Sequence, residues 1–316
     1  MIYYGALLTL AGILTTQAPA DTRAAIEQLI KQSGAEVAVA WRPLDAKPGE
    51  EILINVDERF HAASTMKVPV MIELFRQIEA GERKLDDTVV VTNQFTSIHD
   101  GTPYTLSATE DSDGEIYKAM GTPLSYRVLV EAAITVSSNL ATNILIEHLG
   151  AKNVQATVDK MNASGMQVLR GVEDQKAFDA GKNNTTTARG LLTLFEAIGK
   201  GQAVSPSSSA RMVDILKRQK FVEGIPAGLP PGTPVAHKTG SITRIRHDVG
   251  IVYTNRPYVL VVLVRGIQDG KVADALIARI SAAVATSYLR RPTPRLTTGP
   301  SGVSRSSVTM RSGVSK

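Results

Sequence analysis

The sequence predicts an α+β fold in which an antiparallel β-sheet is flanked by helices and an all-helical lobe is inserted into the chain. Three observations predict it. Strand-like segments lie near both ends of the chain, helical periodicity dominates the middle, and an amphipathic helix closes the sequence. Because a single β-hairpin is marginally stable alone, we expect the early and late strands to share one sheet. The expected strands cover residues 35–41, 52–55, 235–241, 249–254 and 258–265.

The order of the elements makes the predicted sheet domain discontinuous, with residues 21–62 and 205–289 on either side of a helical lobe at 63–204. Two long polar segments, 96–122 and 170–184, have the length of functional loops. Ligand sites favour the crevice between domains, so we expect the active site there. The expected helices cover residues 21–34, 64–80, 126–136, 140–149, 187–199, 207–221 and 271–288.

Residues 1–20 differ in composition from the remainder of the chain. The stretch from 2 to 16 is apolar and uncharged, and Ala-Pro-Ala follows at 18–20. A short apolar stretch that ends in such a small-residue site is typical of a secretory signal peptide. No Lys or Arg precedes it, which leaves a buried N-terminal helix as the alternative. The sequence therefore predicts a secreted or periplasmic protein without stable membrane insertion.

The formal net charge of +5 is concentrated at the C-terminus. Six basic and no acidic residues lie between 289 and 316, so residues 1–288 carry −1. This tail is rich in Ser, Thr, Pro and Gly and lacks apolar periodicity, which predicts a disordered basic extension at 290–316. The nearly neutral body gives no indication of nucleic-acid binding.

The chain contains no cysteine, which excludes disulfide scaffolds, thiol nucleophiles, iron–sulfur clusters and thiolate zinc sites. Its five histidines do not have the spacing of zinc ligands, and neither a dinucleotide-binding nor a P-loop fingerprint is present. We therefore expect no metal and no cofactor.

The first chemical motif is Ser-Thr-Met-Lys at 64–67, directly before an apolar helix. Ser64 would lie at the positive end of the helix dipole, and Lys67 follows it on the same helix face. Apolar neighbours would desolvate the lysine and favour its neutral amine, which can accept the serine proton. Alternatively, Ser64 is an ordinary helix N-cap and Lys67 a solvated lysine.

Two further motifs follow, Ser-Ser-Asn at 137–139 and Lys-Thr-Gly at 238–240. The first lies between two helices and is also compatible with an ordinary helix start. The second lies on a strand, where Lys238 could simply protect a sheet edge, while Gly240 suits a close approach of another backbone or a ligand. Each motif is weak when it is taken singly.

In combination and in this order, the three motifs resemble those of the penicillin-recognising serine hydrolases, most closely the class A β-lactamases, with a serine β-lactamase/DD-peptidase-like fold. The surrounding sequence at 60–69, the helix at 132–135 and the closing strands and helix are similar to that family as well. The resemblance covers residues 21–288.

The resemblance implies a role for each motif residue. Ser64 would be the acylated nucleophile, Lys67 its proton acceptor, and Ser137 the proton donor to the departing amide nitrogen. Substrate binding would fall to Asn139 through the acylamino side chain and to Lys238 and Thr239 through the carboxylate. Gly240 belongs to the same strand motif, and the backbone N–H groups of Ser64 and Ser241 would form the oxyanion hole.

Hydrolysis of the acyl-enzyme needs a general base, which the family places in the loop after the second motif. Glu173 lies at that place, with Asp174 as its rival. Two departures bear on this step. Ser138 replaces the usual Asp, and Ala177 stands where the family usually offers an Asn to position water. Asn183 or Asn184 is the alternative for that role.

Three further side chains allow alternatives. Tyr104, in a loop longer than expected, could stack on substrate or simply pack. Arg244 or Arg246 could supply a second cation for the substrate carboxylate, since only one strand face points inward. His247 and Asp248 could instead form a local pair.

The sequence thus predicts a monomeric serine β-lactamase of class A type that hydrolyses a small-molecule β-lactam through a Ser64 acyl-enzyme, with Lys67 and Glu173 in proton transfer. A D-Ala-D-Ala peptidase or esterase of the same superfamily is the first alternative. A penicillin-binding sensor domain that keeps the fold without turnover is the second.

Deleting residues 290–316 should leave enzymatic activity intact, because the motif residues all lie in the body of the chain. Comparing the turnover of the truncated and the full-length protein tests this, and a large loss would assign the tail a role in the active enzyme.

Overall fold

The computed structural model describes residues 17–289. The predicted disordered tail and most of the predicted signal peptide lie outside these residues, and residues 17–20 open the first helix. The α-helices of the described part are α1 (Gln17–Ser33), α2 (Lys67–Glu79), α3 (Tyr126–Thr135), α4 (Asn139–Leu149), α5 (Ala151–Lys160), α6 (Gln175–Asp179), α7 (Ala188–Gly199), α8 (Pro206–Leu216) and α9 (Gly270–Leu289).

The main sheet joins both ends of the sequence, as expected. Its five strands are antiparallel and run in the order β2-β1-β11-β10-β9. These strands are β1 (Glu36–Pro43), β2 (Ile52–Ile54), β9 (Val235–Ile242), β10 (Ile245–Val252) and β11 (Tyr258–Arg265). The shorter strands pair in twos and are β3 (Phe60–His61) with β8 (Thr185–Thr186), β4 (Thr88–Val90) with β7 (Pro123–Ser125), and β5 (Phe95–Thr96) with β6 (Pro103–Tyr104).

The central strand β11 is buried on both faces. Val259, Val261 and Leu263 join the larger apolar core, which includes the helices of the inserted segment. Leu260 and Val262 face the opposite way, into a second core with α9. An apolar run that fills both faces of one strand places the sheet between two layers of helix. The α+β prediction is confirmed, whereas the proposed domain boundaries remain a prediction.

Several elements differ from the expectation. Helix α5 was not predicted, because only Val154 and Val158 of its residues are buried apolar side chains, too narrow a stripe to show helical periodicity. Strand β10 begins at Ile245, four residues before the predicted start. Its first residues pair with β9 but are mostly polar, so the apolar pattern did not reveal them. The polar segments 96–122 and 170–184 contain short elements, including β6 and α6.

Helix α9 is packed closely against a 3₁₀ turn at Pro226–Gly228. A methyl group on Gly228 would lie 2.1 Å from the carbonyl oxygen of Ala278 in α9, closer than any van der Waals contact allows. The absence of a side chain at this position therefore permits the approach of turn and helix.

Gly228→Ala should lower the free energy of unfolding by about 2–3 kcal/mol, since the helix must move away from the turn. Urea denaturation of the full chain measures this. Gly114→Ala is the matched control, because its methyl group would meet its nearest neighbour, the Ala108 carbonyl oxygen, at an ordinary 3.5 Å. Equal stabilities of the two variants would contradict the tight packing.

Candidate active site

Ser64 lies in a 3₁₀ turn, Ala63–Met66, that precedes α2, and not in the first turn of the α-helix itself. The turn is entered through Ala63, whose φ of 45° lies in the left-handed region that a residue with a side chain rarely adopts. Local bonds hold this conformation, because Thr65 Oγ1 donates to the carbonyl of Ala62 at 2.6 Å and Ala63 N donates to His61 Nδ1 at 3.0 Å. Strained backbone of this kind clusters at functional sites.

Strand β9 lies directly against the nucleophile turn. A methyl group on Gly240 would lie 3.3 Å from the backbone nitrogen of Ser64 and 3.1 Å from Cγ2 of Thr65. The glycine of the third motif therefore allows the strand to approach the backbone N–H of Ser64. This explains why a residue without a side chain occupies the position.

A buried histidine ties the sheet to this turn. His247 Nε2 lies 2.9 Å from the carbonyl oxygen of His61, while Nδ1 lies 2.7 Å from the carbonyl oxygen of Arg246 and 3.3 Å from Val264 N. Burial lowers the pKa of His247 to about 4, which keeps the ring neutral. His247 therefore contacts the backbone just before the Ala63–Met66 turn and does not pair with Asp248.

Lys67, the first residue of α2, is fully buried among oxygen atoms of the second motif. Its Nζ donates to the carbonyl of Ser137 at 2.6 Å, the carbonyl of Ser138 at 3.3 Å and Oδ1 of Asn139 at 2.8 Å. Burial lowers the pKa of Lys67 to about 7, although the negative charges of Asp111 and Glu173 oppose this shift. A substantial fraction of the amine is therefore neutral near pH 7 and able to accept a proton. The interpretation of Lys67 as a solvated lysine is wrong.

The hydroxyl of Ser137 lies between the two lysines of the motifs. It accepts from Lys67 Nζ at 3.3 Å and from Lys238 Nζ at 3.0 Å. Ser137 lies in the short connection between α3 and α4 and has a φ of 60°, in the left-handed region of the backbone. Burial, followed by the positive charge of Lys67, lowers the pKa of Lys238. The hydroxyl is thus placed for proton exchange with either amine.

Ser138, the departure in the second motif, is the N-cap of α4. Its Oγ accepts from the backbone N–H of Ala141 at 3.3 Å. The alternative of an ordinary helix start therefore describes this residue correctly, while its neighbours on either side reach into the site.

Asn139 connects Lys67 to Glu173. Its Oδ1 accepts from Lys67, and its Nδ2 donates to Oε1 of Glu173. Burial raises the pKa of Glu173, which makes this carboxylate a stronger base than an exposed one. Glu173 also has a φ of 60°, so the loop backbone is held in a rare conformation at this residue.

Asp174, the rival of Glu173, is occupied in holding the loop together. It is the N-cap of α6 and accepts from Ser97 Oγ at 2.7 Å, Ile98 N at 2.9 Å and Ala177 N at 3.1 Å. Burial alone would raise its pKa, but these hydrogen bonds outweigh burial and lower it. Asp174 is therefore a structural anchor, and the geometry favours Glu173 as the base.

The remaining polar residues of the loop hold its backbone. Asn184 Oδ1 accepts from Leu169 N at 2.8 Å, and Asn183 Oδ1 accepts from Arg170. Arg170 also donates to the carbonyls of Lys182 and Gly171, so its guanidinium braces the loop from within. Ala177 is fully buried. These contacts use both side-chain groups of Asn184 and the Oδ1 of Asn183, the two asparagines that were candidates for positioning water.

Tyr104 is half-buried and packs at the edge of the site. Its hydroxyl donates to the carbonyl of Val172 at 3.3 Å, and its ring lies 5.8 Å from that of Phe95. Of the two expectations for this residue, packing is the one that its contacts favour.

The side chains of the two arginines after the third motif have different partners. Arg246 lies opposite Ser241 in the sheet, donates to its Oγ and lies 3.3 Å from Asp274. Arg244 is in the hairpin turn, with a φ of 59°, and donates to the carbonyl of Gly266. Of the two arginines, Arg246 is therefore the one whose side chain lies beside β9. Asp248 pairs with His237 instead of His247, at 2.9 Å and fully buried.

One site residue was missed in the sequence. Asp111 reaches the site from the long polar segment, and its Oδ2 accepts from Leu140 N at 2.9 Å and from the hydroxyl of Tyr117 at 3.1 Å. Its only sequence signal was its position in an acidic run, Glu-Asp-Ser-Asp at 110–113.

Two features are absent from residues 17–289. No group of three or more His, Cys, Asp or Glu side chains there is arranged to hold a metal ion. No helix in the same range combines the length and apolar character needed to cross a membrane.

Comparisons with known proteins identify the relatives of this chain. A family-wide sequence profile, that of the Beta-lactamase enzyme family, matches residues 21–288. The extended-spectrum beta-lactamase PER-1 of Pseudomonas aeruginosa is 26% identical over 277 residues, which cover 81% of this chain and 83% of the relative. Beta-lactamase AST-1 of Nocardia asteroides is 28% identical over 278 residues, covering 86% and 84% of the two chains.

Solved structures give the same result. The structure of PBP-A matches with a TM-score of 0.72 at 25% identity, covering 86% of this chain and 97% of its own. A beta-lactamase from Sphaerobacter thermophilus matches with a TM-score of 0.68 at 26% identity, covering 88% and 100%.

Fold, motifs and matches define a serine hydrolase of the penicillin-recognising class. The chain belongs to the Beta-lactamase enzyme family and is of class A type.

Proposed function

We propose that this protein is a serine β-lactamase that hydrolyses the β-lactam amide through an acyl-enzyme on Ser64. The observation that carries the proposal is the hydrogen-bonded chain from Lys67 through Asn139 to Glu173, because it links the candidate base for acylation to the candidate base for deacylation. Both groups have pKa values that burial moves toward neutral pH. Paired, displaced pKa values of this kind are typical of acid–base sites.

Acylation begins with attack of Ser64 Oγ on the lactam carbonyl carbon while neutral Lys67 accepts the hydroxyl proton. The backbone N–H groups of Ser64 and Ser241 stabilise the negative oxygen of the tetrahedral intermediate. The lactam C–N bond then breaks, and the departing nitrogen receives a proton from Ser137. Ser137 regains its proton from the lysines that hydrogen-bond its hydroxyl.

Substrate binding uses the polar edge of β9 and the start of α4. Lys238 and Thr239 bind the carboxylate of the β-lactam, with Arg246 as a second cation beside Ser241. Asn139 hydrogen-bonds the acylamino side chain. The proposed binding groups are thus cations and hydrogen-bond donors, which suit a small anionic substrate.

Deacylation uses Glu173 as general base. The carboxylate accepts a proton from a water molecule, whose oxygen attacks the ester carbonyl carbon. The bond from that carbon to Ser64 Oγ then breaks, and Ser64 Oγ takes up the proton that Glu173 received, which restores the carboxylate. The raised pKa of Glu173 supports this role, because a stronger base removes the proton more readily.

A second candidate function is a D-Ala-D-Ala peptidase or esterase that deacylates slowly. It is favoured by the buried alanine at 177 and by the loop contacts of the Asn184 amide and of Asn183 Oδ1, which leave Glu173 with less help in positioning water. The similarity to PBP-A, of which a variant has been solved as an acyl-enzyme complex with penicillin G, is compatible with it. A sensor domain without turnover would show the same acylation.

We also propose that the protein is exported and acts as a monomer in the secreted or periplasmic space. The leader-like composition of residues 1–20 supports export.

Glu173→Gln should slow deacylation by about 100-fold or more, because the amide cannot accept the proton from water. Turnover of a chromogenic cephalosporin and the lifetime of the acyl-enzyme, followed by mass spectrometry, measure this. Exposed Glu58→Gln serves as the control and should behave as wild type. Unchanged deacylation in Glu173→Gln would move the role to another group, and a wild type that is acylated without turnover would favour the second candidate.

The acylation rate should rise with pH through about 7, because the neutral form of Lys67 predominates only above its pKa. Labelling by a fluorescent penicillin, measured before steady state between about pH 5.5 and 9, tests this. Ser64→Ala should abolish labelling. A rate that does not change across this interval would contradict Lys67 as proton acceptor.

A further inference from the structure

Asp111 attaches the long polar segment, residues 96–122, to the N-terminus of α4. Its carboxylate is largely buried, and both of its oxygens lie 3.0 Å from the backbone nitrogen of Asn139. One of them also accepts from Leu140 N at 2.9 Å and from the hydroxyl of Tyr117 at 3.1 Å. The carboxylate therefore binds the first two free N–H groups of the helix.

The capping of α4 is divided between two residues. The hydroxyl of Ser138 accepts only from Ala141 N, so the negative charge that suits a helix N-terminus is supplied by Asp111. The backbone to which Asp111 binds is that of Asn139, whose side chain connects Lys67 with Glu173. A shift of this backbone would move the amide away from both groups.

Ser112, the residue after Asp111, contacts the connection between α3 and α4. Ser112 Oγ donates to the carbonyl of Val136 at 2.7 Å and to that of Ser137 at 3.1 Å, and the latter carbonyl also accepts from Lys67. Two consecutive residues of the long polar segment thus hold the backbone from 136 to 140. The adjacent Asp113 is bound only to its own loop, where it accepts from Glu115 N.

We propose that Asp111 is a positioning residue of the active site, which holds the Asn139 amide between Lys67 and Glu173 and supplies the anionic charge beside the second motif. This inference rests on the proposed acyl-enzyme chemistry and adds a residue to it. It also accounts for the serine at position 138, since a second carboxylate there would place two like charges at the start of α4.

The charge of Asp111 acts on Lys67 as well as on the helix. Burial lowers the pKa of Lys67 to about 7, and Asp111 is the strongest opposing charge, ahead of Glu173. Three other titratable groups lie beside this cluster. Lys238 shares the Ser137 hydroxyl with Lys67, and Tyr117, whose pKa burial raises, remains a protonated donor to Asp111. Asp113 donates its backbone N–H to Asp111 Oδ1 at 3.1 Å, and its carboxylate contacts its own loop.

The test compares Asp111→Asn with Asp113→Asn in the full chain, using labelling by a fluorescent penicillin and turnover of a chromogenic cephalosporin. Asp111→Asn removes the charge, so the pH midpoint of acylation should fall by on the order of one unit. Deacylation should slow by about tenfold, because the Asn139 amide loses its fixed position. Asp113→Asn should match wild type in both measurements.

A second variant separates charge from packing. In Asp111→Asn/Ser138→Asp, a carboxylate at the N-cap of α4 restores the charge, and the pH midpoint should return toward that of wild type. This double variant also serves if Asp111→Asn alone does not fold. A restored midpoint supports the proposal, and a midpoint that stays low in the folded double variant overturns it.

The remaining outcomes are decisive too. A folded Asp111→Asn with a wild-type pH profile and wild-type deacylation overturns the inference. Failure of both Asp111 variants to fold while Asp113→Asn folds also overturns it, because Asp111 would then be a folding residue only. A wild type that the penicillin does not label removes the proposed function itself, whereas a labelled wild type with unchanged Asp111→Asn removes this inference alone.

Discussion

The arrangement of the site depends on the burial of the Lys67 ammonium group. A cation removed from water is costly unless it is surrounded by acceptors, and here the turn between α3 and α4 supplies them. The left-handed φ of Ser137 follows from this requirement, since the turn must present its carbonyls and its hydroxyl to one point. The same burial that needs these acceptors lowers the pKa of the lysine toward neutrality.

Much of this organisation could be predicted from the sequence. The alternation of β1 and the fully apolar run of β11 predicted the sheet, and the three short motifs predicted which segments would meet. The groups that align the motifs could not be predicted. Asp111, Asp174 and His247 act through hydrogen bonds to backbone groups that are distant in sequence, and such contacts leave no periodicity in the sequence.

The long polar segment and the loop that carries Glu173 form one continuous structure. Asp174 bonds to the backbone at Ile98, Lys176 pairs with Asp100 at 2.8 Å, and Tyr104 bonds to Val172. Because these contacts link the two segments at several points, the position of Glu173 depends on a part of the chain that contributes no catalytic group. The long polar segment is therefore long because it holds the loop that carries Glu173 in place.

The shared capping of α4 has an evolutionary consequence. Asp111 and Ser138 lie on different segments, yet together they satisfy the N-terminus of one helix. Loss of the carboxylate at 111 leaves N–H groups unpaired, and a new carboxylate at 138 beside the old one brings like charges together. We therefore expect either single exchange to be disfavoured and the double exchange to be tolerated. On that expectation the two positions would change together in evolution.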